Sequence, residues 1–157
     1  MGLISNGSTV FDAGAMSTGF GGSMVFIKKL TASSSSTLSF VDGASSVVLD
    51  GTYKEYLFTF NNLHPSENAH ANFTMNFSID TGSNYNVTKT TTLFRTYHQE
   101  NGGSSSLLYQ NEFDLAQGTG FQNLYAYGAG DDADLCWGGT MSLYNPSSTT
   151  FVKHFMS

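Results

Sequence analysis

Three carboxylates lie close together in the stretch between residues 128 and 134. Asp131, Asp132 and Asp134 follow Gly128 and Gly130, and carboxylate oxygens are the ligands that a hard cation such as calcium takes. The spacing differs from that of an EF-hand loop, and acidic residues beside glycines are also typical of a solvated surface loop. The sequence therefore keeps a calcium site as a candidate beside the simpler interpretation, and it indicates no other metal and no cofactor.

Histidine, a common metal ligand and proton carrier, occurs on four separate segments of the chain. His64, His70, His98 and His154 show neither His-x-His nor His-Glu-x-x-His spacing, so a zinc site would have to be assembled wholly by the tertiary structure. The glutamates are equally scattered, and nothing in their contexts selects the facing pair that a glycosidase needs. We therefore expect a protein that is not an enzyme, with glycosidase chemistry as a less favoured alternative.

Aromatic residues make up 14% of the chain, which allows two interpretations. Tyr125, Tyr127 and Trp137 flank the acidic loop, and exposed rings beside polar groups can form a stacking platform for a glycan. The same residue types also supply large buried areas to the core of a β-sheet protein. Core packing is the favoured interpretation, and a glycan platform remains open.

The elements that must position these side chains are β-strands. Between residues 55 and 61 the large apolar residues Tyr56, Phe58 and Phe60 alternate with Glu55, Leu57, Thr59 and Asn61, which is the period of a half-buried strand. Further short segments of this kind, separated by Gly, Asn, Asp and Pro turns, recur to the end of the chain. They predict an all-β fold, an antiparallel β-sandwich of jelly-roll type, in which the last strand, ending at Phe155, lies at a sheet edge.

The first 23 residues differ from the rest in composition. They are rich in Gly and Ser, and their apolar residues follow neither strand nor helix period. We predict an extended N-terminal arm over residues 1–23 and a sandwich domain over 24–157, with residues 24–30 as its first strand. Large apolar side chains in a flexible arm are costly to leave in water, so we expect a contact with a neighbouring subunit or another protein through Val10, Phe11, Met16 and Phe20.

Charge and composition exclude several classes of partner. The formal net charge is -6 with only six Lys and Arg residues, which opposes binding to a nucleic-acid backbone. No run approaches the roughly 18 apolar residues of a membrane-spanning helix. A single cysteine, Cys136, excludes a disulfide within the chain.

The segment around the central strand resembles a known group of proteins. Residues 53–65 read Tyr-x-x-Tyr-Leu-Phe-x-Phe-x-Asn-Leu-His-Pro, and residues 81–86 read Thr-Gly-Ser-x-Tyr-Asn. This pattern resembles virion structural proteins of tailed phages, especially marine ones, of the tail-fibre or capsid-surface type, and the likeness extends roughly from residue 30 to 155. It implies a non-enzymatic virion component that contacts other virion proteins and forms a homo-oligomer, possibly a trimer. A carbohydrate-binding or receptor-binding module for a host-surface glycan is the alternative.

Overall fold

The computed structural model describes residues 3–5, 8–12, 15–16, 24–66, 71–129, 131–132 and 135–157. The chain divides into two compact units, Met1–Thr31 and Ala32–Ser157, and each is described by itself. The prediction of an all-β protein is confirmed: the described residues form ten strands and a single turn of 3-10 helix at Asn111–Phe113. The strands are β1 Leu3–Ser5, β2 Ser8–Asp12, β3 Ala15–Met16, β4 Glu55–Leu63, β5 Ala71–Met75, β6 Phe94–His98, β7 Ser105–Tyr109, β8 Gln122–Ala129, β9 Trp137–Tyr144 and β10 His154–Met156.

The N-terminal unit contains a small antiparallel sheet in the order β1-β2-β3. Within the residues predicted as an extended arm, Leu3–Ser5, Ser8–Asp12 and Ala15–Met16 are short paired strands. The prediction of a first strand over residues 24–30 is wrong, because the structure gives them no strand. An apolar run forms a strand only where a neighbouring edge completes its hydrogen bonds.

The main sheet of the second unit has the order β10-β9-β4, with all pairs antiparallel. Tyr56 lies opposite Leu143 and Phe58 lies opposite Met141, so the alternation that predicted the strand also sets its buried face. The edge position expected for the strand ending near Phe155 is confirmed, because β10 is the outer strand of this sheet as described.

A coil before β4 covers part of this face. Phe40 meets the ring of Phe58 edge-on with centroids 5.5 Å apart, and Val47 is buried. The Asp42 carboxylate accepts a hydrogen bond from the main-chain N–H of Leu49 at 2.7 Å, which closes the turn. Because the turn consumes the local hydrogen bonds, the segment packs on the sheet without joining its ladder.

Two further antiparallel pairs complete the second unit as described, β5 with β8 and β6 with β7. Between β5 and β6 the chain turns at Asp80, whose carboxylate accepts hydrogen bonds from the Ser78 hydroxyl at 2.6 Å and the Asn84 main-chain N–H at 2.8 Å. These bonds, from Ser78 first and then Asn84, lower the pKa of Asp80 to about 2. Gly82 in the same turn has φ +83°, a conformation that glycine adopts at little cost.

Candidate functional site

One cleft of the second unit has a volume of about 440 Å³. One wall is residues 90–94, the opposite wall is residues 153–157, and residues 122–124 of β8 also line it. No Asp or Glu side chain lines this cleft. Its polar lining consists of main-chain groups, hydroxyls and amides, together with the Lys153 ammonium and the His154 imidazole.

The first wall is an extended segment whose main-chain hydrogen bonds all run to one side. Lys89 exchanges two bonds with Gly118 at 2.8 and 2.9 Å, and the N–H of Thr91 donates to Leu115 at 2.8 Å. The carbonyl of Leu93 accepts from the N–H of Gln110 at 2.8 Å. Since successive residues of an extended chain direct their main-chain groups to opposite sides, those of residues 90 and 92 point away from these partners.

Buried polar contacts hold this wall in place. The Thr91 hydroxyl donates a short hydrogen bond to the side-chain carbonyl of Gln122, and Gln122 is only 3% exposed. Its amide group donates to the carbonyls of Phe113 and Asn123 at 3.2 and 2.9 Å. Because all of these polar atoms are paired, the network stabilises one arrangement of the wall against β8.

Asp114 anchors the same wall from the other end. One carboxylate oxygen accepts from the N–H of Leu93 at 3.0 Å, and the other accepts a short hydrogen bond from the Tyr109 hydroxyl. The bond to Asp114 raises the pKa of that phenol. The wall and the β6–β7 hairpin are thus fastened to the turn of 3-10 helix that precedes Asp114.

One polar atom at the cleft has no such partner. Asn123 lines the cleft, and its side-chain Oδ1 is buried without a hydrogen bond in the described structure. A buried acceptor left unsatisfied costs on the order of 1 to 3 kcal/mol.

A buried lysine lies at the start of the same wall. Lys89 is 7% exposed, and its ammonium group donates to the Asn76 side-chain carbonyl at 2.5 Å and the Val87 carbonyl at 2.7 Å. Burial lowers its pKa. Asn76 in turn donates to the carbonyls of Tyr85 and Thr119 at 2.6 and 3.0 Å, so this network ties two loops together.

The aromatic residues that flank the acidic loop in the sequence include Trp137 and Tyr125, whose rings pack against rings on other strands. The Trp137 ring is 4.6 Å from Phe73, 5.4 Å from Phe60 and 6.0 Å from Tyr125, measured between centroids. These residues come from β9, β5, β4 and β8, so the cluster joins the β10-β9-β4 sheet to the β5-β8 pair. We call these four side chains the aromatic junction. Their packing agrees with the favoured core interpretation, and the side chain of Tyr127 lies outside the described residues.

The other candidate residues are only partly described. Asp131 and Asp132 are exposed, whereas Asp134 lies outside the described residues. No group of three or more His, Cys, Asp or Glu suited to a metal ion occurs in the part of the chain that the structure describes. In the N-terminal unit Phe11 lies opposite Met16 on paired strands and Val10 belongs to β2. Phe20 falls outside the described residues.

Sequence reasoning missed the residues that shape the cleft. Lys89 and Gln122 were unremarkable because a polar residue in a strand-like run is usually exposed. The Thr-rich run at 90–92 was the available signal, since β-branched residues favour extended backbone. It predicts a strand but not that the strand lacks a neighbour on one side.

Comparison with protein-family models, curated proteins and solved structures finds no match to this chain. The likeness to phage virion proteins therefore depends on the quoted sequence patterns alone. Among the described residues, no helix has the length and apolar character that crossing a bilayer requires.

Proposed function

We propose that this chain is a non-enzymatic structural subunit of a phage virion, in which a jelly-roll-like β-sandwich assembles as a homo-oligomer on the particle surface. The observation that carries the proposal is the distribution of apolar side chains in the second unit. Its core is small for its length, and large apolar residues are exposed instead. Neighbouring subunits would supply the surfaces that bury them.

The buried apolar set of the described residues comprises only Val47, Tyr56, Met141 and Leu143, and no described side chain is less than 2% exposed. Fully burying an aliphatic or aromatic side chain contributes about 1.5 to 3 kcal/mol. The other apolar side chains of the described residues are half-buried or exposed.

The exposed set is much larger than the buried one. Ile79 is 88%, Val152 77% and Phe151 75% exposed. On one face of the β6–β7 hairpin, Phe94 and Tyr109 lie opposite each other with centroids 5.2 Å apart, and both are exposed. A two-stranded hairpin is marginally stable in water on its own, and extensive exposed apolar surface is typical of an interface.

The sandwich part of the proposal is supported by the aromatic junction, which packs one antiparallel sheet against an antiparallel pair. Packing of this kind is what the two layers of a jelly roll require. Trimeric symmetry and the virion location come from the resemblance.

The test is the mass of the full chain in solution, measured by light scattering between about 1 and 100 μM, a range in which specific interfaces of standard size associate. We expect an oligomer, and we expect Leu107→Ser on the exposed hairpin face to weaken it more than the polar control Ser105→Thr. A strictly monomeric protein throughout this range would contradict the assembly. The virion location is tested separately by detecting the protein in purified phage particles.

A further inference from the structure

We propose that the cleft between residues 90–94 and β10 is an acceptor site for a β-strand, and that residues 24–30 of a second copy of this chain supply the strand. The inference deepens the proposed function, because it requires the chain to form a homo-oligomer. It assigns a defined donor segment and a defined acceptor to the contact between subunits.

The first wall presents main-chain groups without partners. The N–H and C=O of Thr92 make no hydrogen bond in the described structure, and neither do those of Thr90, whose hydroxyl accepts a bond from Gln117. Both residues direct these groups away from the side occupied by residues 110–118. One edge of this wall is therefore hydrogen-bonded, and the other edge has main-chain groups without partners among the described residues.

The opposite wall is an unpaired sheet edge. β10 pairs with β9 through Phe155 and Leu143, and no described strand pairs with its other side. The cleft is lined by all of residues 153–157 but by no residue of β9, so it lies on that outer side. A strand inserted here would join the β10-β9-β4 sheet to the segment leading into β6.

The cleft also offers side-chain contacts to an inserted strand. Leu93, Leu124 and Phe155 line it and would contact apolar side chains on one face of the strand. An extended peptide presents apolar side chains and N–H donors together, which a small polar ligand does not.

Residues 24–30 have the composition of a strand and lack its structure. The segment reads Met-Val-Phe-Ile-Lys-Lys-Leu, yet no part of it is in a strand. Met24, Val25 and Phe26 are 69%, 60% and 81% exposed. Seven extended residues span about 23 Å and a five-residue wall about 17 Å, so the donor is long enough for the whole acceptor.

We favour a second copy of this chain as the source of the inserted strand, because of the numbers of donors and acceptors and the area that the contact buries. Each chain carries one donor and one acceptor, so copies can exchange strands reciprocally in a dimer or in sequence around a closed ring. A reciprocal exchange buries two donor strands, each between two edges, which brings the contact toward the roughly 1,200 to 2,000 Å² of a stable interface.

Disulfide trapping between two differently labelled chains tests the contact. In a Cys136→Ser background, one protein carries Thr92→Cys and the other carries Val25→Cys, Phe26→Cys or Ile27→Cys in turn, which samples the register. A paired strand brings Cβ atoms within the roughly 3.5–4.5 Å that a disulfide needs. We expect a heterodimeric disulfide for at least one pairing, identified by peptide mass spectrometry. Ser36→Cys, at an exposed position that does not line the cleft, serves in place of Thr92→Cys as the control.

A proline substitution supplies the second measurement. Val25→Pro in the full chain removes an N–H and blocks the ladder, whereas Ala32→Pro lies beyond the donor segment. We expect Val25→Pro to lower the oligomer mass in light scattering while the β circular dichroism spectrum is retained, and Ala32→Pro to leave the mass unchanged.

The outcomes separate this inference from the proposed function. A wild-type oligomer that survives Val25→Pro and yields no disulfide between copies overturns the strand exchange and leaves the assembly standing. A disulfide that forms only within one chain, in a protein carrying both Phe26→Cys and Thr92→Cys, overturns the second copy as the occupant. A monomeric wild-type protein overturns both.

Discussion

Removing the single tryptophan should destabilise the fold of the second unit. Trp137 contacts Phe60, Phe73 and Tyr125 with centroid distances of 5.4, 4.6 and 6.0 Å. The Trp137 ring also lies 3.4 Å from where a Cβ on Gly139 would be. Trp137→Ala therefore removes every ring contact that joins β9 to the β5-β8 pair in the aromatic junction.

The expected loss of stability follows from the burial of Trp137 and from its ring contacts. Replacing a fully buried Phe or Trp by Ala costs about 3 to 5 kcal/mol, and each aromatic pair contributes about 0.5 to 1.5 kcal/mol beyond its area. Trp137 is half-buried, so we expect a loss of about 2 to 3 kcal/mol in the free energy of unfolding. For a domain of this size that is a fall in Tm of about 5 to 10 °C.

The assay is urea unfolding followed by far-ultraviolet circular dichroism, because the substitution removes the only tryptophan fluorophore. Trp137→Phe keeps an aromatic ring and should cost about 1 kcal/mol. Ser36→Ala, at an exposed polar position, should cost less than about 0.5 kcal/mol. If Trp137→Ala leaves stability unchanged but abolishes binding to a glycan array, the core interpretation is wrong and the platform interpretation is right.

Two further substitutions test the backbone and the buried cation. Gly82→Ala should lower the free energy of unfolding by about 2 to 3 kcal/mol in a thermal melt, because φ is +83° and the new Cβ would lie 3.0 Å from Val41 Cγ2 and 3.1 Å from the Tyr85 hydroxyl. The control is Gly102→Ala, at φ +70° with open space around it, which should cost only about 1 kcal/mol. Equal losses of stability in the two variants would refute the steric argument. Burial lowers the pKa of Lys89 below its ordinary 10.5, so between the two pKa values the unfolded chain holds more protons and stability rises with pH. Lys89→Met removes the donor to Asn76 and Val87 and should lower the free energy of unfolding by about 1 to 3 kcal/mol at pH 7. The loss should grow as pH approaches 10, because the wild-type protein gains stability there; a loss that is constant with pH in urea titrations would show that the Lys89 charge contributes nothing to it.

The sequence determined which residues form strands where alternation is strong. Tyr56, Phe58 and Phe60 share a face because side chains alternate along any strand, and the turn residues bound the segment on both sides. The same local rule placed a strand near Phe155. These features depend on neighbours in the chain, so a pattern of residue types suffices to predict them.

The tertiary structure alone decided which strands find partners. Residues 24–30 have the apolar composition of a strand, yet they form no strand, because a strand needs a second edge to complete its hydrogen bonds and composition does not say whether one is near. The sequence allows Trp137 as a platform or as a core residue, and only the structure shows its ring contacts with residues of β4, β5 and β8. Lys89 and Asn123 likewise became informative only when residues 13 or more positions away, or the lack of a partner, were seen. Pairing and burial are relations between segments distant in the chain, and a single sequence does not record those distances.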